Sequence, residues 1–441
     1  MKFAISTLGC RTNQHDTAEM QTLLEKEGFS LVSHKEKADI YVVNSCTVTQ
    51  KSDYSSRLAV RKFLNINNNA LIVLTGCYAQ NNPEDAKQIP GLSLVLGNAD
   101  KLEVAQTIKK AIAKNQPWNI PKKPEIIMSD IKELREFTTI PVKNFQGKTK
   151  AFLKIQTGCD EKCSFCTVAR ARGRSISDSR ENIIKNVRLF IESGYKEITL
   201  TGINIGTYGI DSIPPQKFSS LVEEIVQLDG NFRVRISSIN PMEIDDHLIQ
   251  LMASSDKLCP HFHIPLQSGD TSILSKMRRN YDSAQYLDVI HRIIEKLPII
   301  GLGADVIVGF PGETNEKFLN TRDMISHLPF SYLHVFTYSG RKGTEAFKFK
   351  DSVLKDDKKL RNKELTELGK AKSRNFQKKF LGKTVSILFE EQRDQKTGLL
   401  KGHSEHYIPV LAKGDDSLIN QIVPTKIQEL KNGQVIGCIQ L

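Results

Sequence analysis

Three short β-prone runs near the start of the chain each end in small or polar residues and then a cysteine. Phe3 to Leu8 leads to Gly9-Cys10, Ile40 to Val43 leads to Asn44-Ser45-Cys46, and Leu71 to Leu74 leads to Thr75-Gly76-Cys77. Helical patterns lie between them, among them Thr17 to Glu27, closed by Gly28 as a C-cap signal. Strand and helix in alternation predict an α/β domain, a parallel sheet with covering helices. Ligands of such sheets sit beyond the carboxyl ends of the strands, so Cys10, Cys46 and Cys77 are expected to converge at one rim. A lone cysteine at a strand end reads most simply as a small buried residue. Three in the same topological place favour a site.

The stretch from Lys101 to Lys148 reads as a helix followed by a polar linker or edge excursion carrying Pro117, Pro121, Pro124 and Pro141. From Lys150 the alternation resumes with FLKIQ, then Glu197 to Gly202, Arg233 to Ser238, His261 to Leu266, Gly303 to Phe310 and Tyr332 to Ser339. Helical patterns such as Glu181 to Ser193 and Ser283 to Leu297 separate them. These strands with crossovers predict a full or partial (β/α) barrel whose chemistry lies at its C-terminal rim. A basic helix, Lys355 to Lys379, precedes TVSILFEE, YIPVLAK and QVIGCIQL, an all-β module expected to close as a small barrel. The expected division is an α/β domain over 1–120, a linker over 121–148, the barrel over 149–350, a basic helical linker over 351–380 and the β module over 381–441.

With 441 residues and 39% hydrophobic content, the chain can bury more than one core. Its opening apolar run breaks at Arg11 and is too short for a signal peptide. No stretch approaches the roughly 18 apolar residues of a membrane span. A cytoplasmic setting without a membrane partner is therefore expected, where eight cysteines read as metal ligands or buried thiols rather than disulfides. The formal charge of +12 is uneven: Arg341 to Lys383 carries 15 Lys and Arg against 6 Asp and Glu. Such a run is either a solvated helix face or the footprint of a polyanion, and tRNA or rRNA would qualify.

Thr157 to Cys166 reads TGCDEKCSFC and places Cys159, Cys163 and Cys166 directly after the first barrel strand. Four-iron clusters normally take four thiolates, and structural zinc sites show a complete set of four ligands. Neither a fourth Cys nor a His stands nearby. An iron left without a protein thiolate can instead take the amino and carboxylate groups of S-adenosylmethionine, whose sulfonium a reduced cluster can cleave to a 5′-deoxyadenosyl radical. Zinc and a structural loop are the competing readings.

At these residues the chain resembles a family. C-x-x-x-C-x-x-C with Phe165 before the last cysteine is similar to the radical S-adenosylmethionine enzymes. LGCRTNQHDT, NSCTVT and LTGCYAQ resemble the N-terminal domain of the methylthiotransferases, and HFHIPLQSGD, ILSKMRRNY and DVIVGFPGET resemble further stretches of that family. The C-terminal module resembles its TRAM domain. The resemblance implies a second, auxiliary four-iron cluster on Cys10, Cys46 and Cys77 beside that on Cys159, Cys163 and Cys166. It implies S-adenosylmethionine as both methyl donor and radical source, an external reductant and a sulfur donor, and transfer of a methylthio group to an unactivated carbon. The substrate would be an adenosine next to the tRNA anticodon, carrying a threonylcarbamoyl or an isopentenyl group, or an aspartate of a ribosomal protein. Thr47-Val48-Thr49 after Cys46, with LTGINIGTYGID, resembles the bacterial enzymes acting on threonylcarbamoyladenosine. The chain departs from the family at Ala169 and Arg170, where members usually carry Pro-Tyr or Pro-Phe, while Arg172-Gly173-Arg174-Ser175 still matches.

Thr201, Gly202 and Gln267 lie just past strand ends and, with Phe165, are candidates to contact S-adenosylmethionine. His261 and His263 share a strand face and read as ordinary core or rim histidines, with a rim position near the cosubstrate as the alternative. Cys259 and Cys438 lack partners at ligand spacing and read as structural. A monomer that binds the anticodon stem-loop is the expectation. The reading from a different class is a non-catalytic iron–sulfur RNA-binding protein, which would have no use for a chelating cosubstrate.

Overall fold

The computed structural model describes residues 1–114, 121, 123–145, 147–431 and 433–440. Pro117 of the expected linker lies outside the described residues. Among those described, no helix is long and apolar enough to cross a membrane. The chain forms two compact units that do not follow its order. The first holds Met1–Phe145, Lys154–Ser179 and Arg341–Thr344, and the second Gln146–Leu153, Arg180–Gly340 and Glu345–Leu441.

In the first unit six parallel strands pair in the order Ser30–Leu31, Lys2–Thr7, Ile40–Ser45, Leu71–Gly76, Leu94–Leu96, Glu125–Ile127. Ile40–Ser45 and Leu71–Gly76 are buried along their whole length, as central parallel strands covered on both faces must be. Successive side chains go to opposite faces. Tyr41, Val43, Ile72 and Leu74 meet Val60 and Phe63 of the helix Gln50–Ile66 on one side. Val42 and Val73 meet Met20 and Leu24 of Arg11–Lys26 and Ile108 of Val104–Lys114 on the other. The first helix begins at Arg11, ahead of the expected Thr17, because its polar opening residues Asn13 and Asp16 are buried in hydrogen bonds rather than solvated. The proline-bearing stretch supplies the edge strand Glu125–Ile127.

The second unit contains the expected partial barrel. Arg233–Ile236, Glu197–Thr201 and Ala151–Lys154 form one sheet, and His261–His263, Gly301–Val308 and Tyr332–Thr337 another. Bridges Val234 to Leu258 and Ser238 to His263 join them. The helix Lys355–Lys378 lies along the last strand, with Asn362 Nδ2 donating to the Val335 carbonyl, so this edge is covered. The C-terminal module closes as a five-stranded barrel, Thr384–Phe389, Leu400–Ser404, Pro409–Ala412, Gln434–Ile439, Ile422–Lys431, around Ile387, Phe389, Val410 and Ile427.

One buried carboxylate joins the two barrels. Glu197 Oε1 accepts from Arg235 Nε at 2.8 Å and Oε2 from Arg233 Nε at 2.7 Å. The remaining guanidinium donors reach the carbonyls of Ser386, His403, Ser404 and Glu405 in the C-terminal barrel. Burial works to raise the Glu197 carboxyl, and Arg235 and Arg233 outweigh it, holding it well below the usual range.

Candidate metal centres

Both three-cysteine sets fall in the first unit. Cys10 stands at the N-cap of Arg11–Lys26, Cys46 follows the strand Ile40–Ser45, and Cys77 opens a short helix after Leu71–Gly76. The strand ends therefore bring them to the same edge of the sheet, as the alternation predicted. Gly9 has φ of +93°, and a Cβ there would lie 2.8 Å from Cys46 Sγ, so only glycine lets the first loop pass this close to the second thiol. Asn13 Nδ2 donates to the carbonyls of Leu8 and Ser45, and Asn44 Nδ2 donates back to the Asn13 carbonyl. Burial pushes the Cys46 thiol up, and the Cys77 and Cys10 sulfurs add to it. The three groups sense one another.

Cys159, Cys163 and Cys166 lie on one loop, all half-buried and none in a disulfide. Gly158, at φ of +70°, lets the loop run over Arg174, whose carbonyl would lie 1.7 Å from a Cβ at that position. Cys159 N donates to the Gly173 carbonyl at 3.1 Å, Cys166 N to the Cys163 carbonyl at 3.1 Å, and Val168 N to Cys166 Sγ at 3.3 Å. Burial pushes the Cys159 thiol up to about 12, with Cys166 and Cys163 contributing. Thiols held neutral and crowded in this way release protons when a metal binds. The donor chemistry fits a soft, thiolate-bound centre, and Cys159, Cys163, Cys166 and Cys10, Cys46, Cys77 are the residues that would hold it.

A buried charge network, which the sequence reading missed, ties the two loops together. Asp16 accepts from Lys154 Nζ (2.9 Å), Lys101 Nζ (2.7 Å) and Arg172 Nη2 (2.8 Å), and Glu19 accepts from Lys154 Nζ (2.7 Å). Arg172 ends the short helix that follows Cys166, and it also donates to Asn13 Oδ1. Asn81 Nδ2, just after Cys77, donates to the Thr167 carbonyl at 3.1 Å. Burial raises the Asp16 carboxyl, but Arg172, Lys101 and Lys154 hold it well below the usual range; Glu19 is lowered to about 2 against the same burial, chiefly by Lys154. The only signal in the sequence was the helical spacing of Asn13, Asp16 and Met20.

Of the other candidates, Phe165 sits half-buried in the triad loop of the first unit, while Thr201, Gly202 and Gln267 belong to the second. Thr201 ends the strand Glu197–Thr201 and is buried. Gln267 adopts φ of +62°, with its N–H on the Asp305 carbonyl and its own carbonyl accepting from Ile307. Thr47 and Thr49 have local structural work. Thr49 caps Gln50–Ile66 by accepting from Ser52 N, and Thr47 accepts from Arg341, which also pairs with Asp53 at 2.6 Å. Cys259 is buried and Cys438 exposed.

The sequence model described as Uncharacterized protein family UPF0004 matches residues 2–97, and that described as Radical SAM superfamily matches 153–325. The chain is 36% identical to the threonylcarbamoyladenosine tRNA methylthiotransferase MtaB of Bacillus subtilis, covering 96% of this chain and 93% of that one, and 37% identical to MtaB of Aquifex aeolicus, covering 94% and 97%. This chain belongs to the radical S-adenosylmethionine methylthiotransferase family. Like other methylthiotransferases it is a transferase. It is also 33% identical, over 99% of its length and 96% of the relative's, to the tRNA-2-methylthio-N(6)-dimethylallyladenosine synthase of Clostridium botulinum. Among solved structures, the radical S-adenosylmethionine methyltransferase TsrM of Kitasatospora setae aligns with a TM-score of 0.54 over 76% of this chain and 72% of that one, at 15% identity. That likeness concerns the fold.

Proposed function

We propose that this methylthiotransferase converts N6-threonylcarbamoyladenosine next to the tRNA anticodon to its 2-methylthio derivative, with four-iron clusters on Cys159, Cys163, Cys166 and on Cys10, Cys46, Cys77. The observation that carries the chemistry is that both incomplete cysteine sets lie in one unit, stitched by Asp16, Arg172 and Asn13. The substrate reading is supported by 36% and 37% identity, over 96% and 94% of this chain, to two relatives named for threonylcarbamoyladenosine. When bound, such clusters with S-adenosylmethionine supply a 5′-deoxyadenosyl radical and a methylated sulfur. The protein's own part is positional. Glycine turns at Gly9 and Gly158 fix the thiols, buried hydrogen bonds hold the loops in place, and the surplus of Lys101, Lys154 and Arg172 over Asp16 and Glu19 favours negative charge nearby.

The test is nucleoside mass spectrometry of tRNA lacking the methylthio group, after anaerobic incubation with reconstituted enzyme, S-adenosylmethionine, sulfide and reductant. Methylthio on threonylcarbamoyladenosine is the expected product. Its appearance on the isopentenyl nucleoside alone would remove the substrate assignment and leave the chemistry, and 5′-deoxyadenosine without either product would redirect it to the ribosomal protein. Iron counting separates the sites: Cys10→Ala and Cys159→Ala each lower bound iron by about four atoms.

A further inference from the structure

Among the described residues, a group of potential metal ligands lies in the second unit, which holds none of the six cysteines of the two triads. His263, Asp305 and His334 come from three adjacent strands. Asp305 is the direct register partner of His334, and His263 pairs with Gly303, two residues before Asp305 and therefore on the same face. Phe262, Ala304 and Val306 take the opposite face and are fully buried. His263 Nε2 and His334 Nδ1 both aim at one atom, Asp305 Oδ1, each at 3.1 Å. All three ligand atoms lie within 4.8 Å of one another.

We propose that His263, Asp305 and His334 form a binding site for a divalent transition-metal ion. Two imidazoles and a carboxylate suit zinc, iron(II), cobalt(II) or manganese(II) rather than calcium or magnesium, which favour oxygen alone, or copper(I), which favours sulfur. Three ligands leave positions open for water or an oxygen-donor substrate group. The ligands are also held from behind. Tyr332 Oη lies 3.1 Å from His263 Nδ1 and 2.9 Å from His261 Nε2. With Nδ1–H of His263 donating to Tyr332 and the tyrosine hydroxyl donating to His261, the Nε2 lone pair of His263 faces Asp305, as a metal-bound imidazole requires. Gly303 makes this possible, because a Cβ there would lie 2.1 Å from the Tyr332 ring. The ring of His334 is 56% exposed, which gives an ion its way in.

The experiment is equilibrium dialysis of the cluster-loaded full chain against cobalt(II), with bound cobalt and iron counted by elemental mass spectrometry. With the clusters in place, the wild type is expected to take up a single equivalent of cobalt without losing iron. Asp305→Asn and His334→Ala should abolish this uptake while leaving iron content and the circular dichroism melting curve as in the wild type. Gly303→Ala, which keeps every ligand and displaces Tyr332, should weaken cobalt binding about tenfold. No bound cobalt, cobalt gained only as iron is lost, or equal uptake by wild type and Asp305→Asn would each overturn the site and leave His263, Asp305 and His334 as an ordinary ion pair. None of these outcomes bears on the tRNA substrate.

Discussion

Glu197 in the second unit and Asp16 in the first are both carboxylates buried among more cations than they can neutralise, yet the surplus is handled differently. Around Glu197 the spare guanidinium donors of Arg233 and Arg235 end on backbone carbonyls of the C-terminal barrel. That cluster is closed, and its product is adhesion between two barrels. Around Asp16 the surplus faces thiols: the Cys77 sulfur acts on Lys101, and the Cys77 and Cys10 sulfurs act on Arg172. Among the described residues, Arg172 Nε has no hydrogen-bond partner. The contrast is that the surplus cation beside Asp16 stands where the proposed clusters would bring negative charge, whereas that beside Glu197 is spent on backbone carbonyls.

The largest effect that tests this contrast is on stability. Glu197→Gln strands two buried guanidinium groups and should cost about 3–5 kcal/mol, read as a lower urea midpoint, equally in iron-free and iron-loaded protein. Asp16→Asn should be comparably costly without iron and milder with it, since thiolates at the proposed clusters would take over as counter-charge. Equal losses in both forms for Asp16→Asn would erase the distinction between the two clusters.

Acid should separate the regions next. Burial, with Arg235 and Arg233, lowers His406 to about 4 from 6.5, so its neutral form is the one the fold prefers. That contribution is present above pH 6.5 and is lost as pH falls toward 4. Glu19, lowered to about 2 from 4.5, contributes above pH 4.5 and fails only as pH falls toward 2. Hydrogen exchange should therefore show Leu400–Ala412 loosening at a higher pH than Arg11–Lys26. The reverse order would mean that other groups govern acid unfolding.

The smallest effect belongs to the surface. Lys378 and Lys379 are exposed at the end of the basic helix, and reversing both charges should leave the melting curve unchanged while reducing the salt slope of tRNA binding by about 2. An unaltered slope would take them out of the RNA interface.

The basic run itself shows where sequence reading fell short. Arg341 is buried against Thr47 and Asp53, Arg361 against Glu313, and Lys358 against Asp351, so part of what looked like an outward-facing charge excess holds the fold together. Lys355, Lys359, Lys363 and Lys370 do face solvent. The partners of Arg341 lie 294 and 288 residues away and cannot be read from its neighbours in sequence. The cysteine positions were legible because strand ends are fixed by short apolar runs, and the six barrel strands for the same reason. Leu94–Leu96 was too short to register, and Ile422–Lys431 hid its alternation of Val423, Thr425 and Ile427 behind a register shift between Ile427 and Glu429. Tyr332 and Gly303 were invisible as partners because their relation exists only across paired strands.

The first unit is discontinuous, and that sets a timetable for its birth on the ribosome. Cys10, Cys46 and Cys77 emerge early, but Lys154 and Arg172 come later and Arg341 is separated from Thr47 by 294 residues. Contacts of such span close late and slowly. The early thiols therefore spend most of synthesis without their final surroundings, and assembly of the first unit waits until all but the last quarter of the chain has been made.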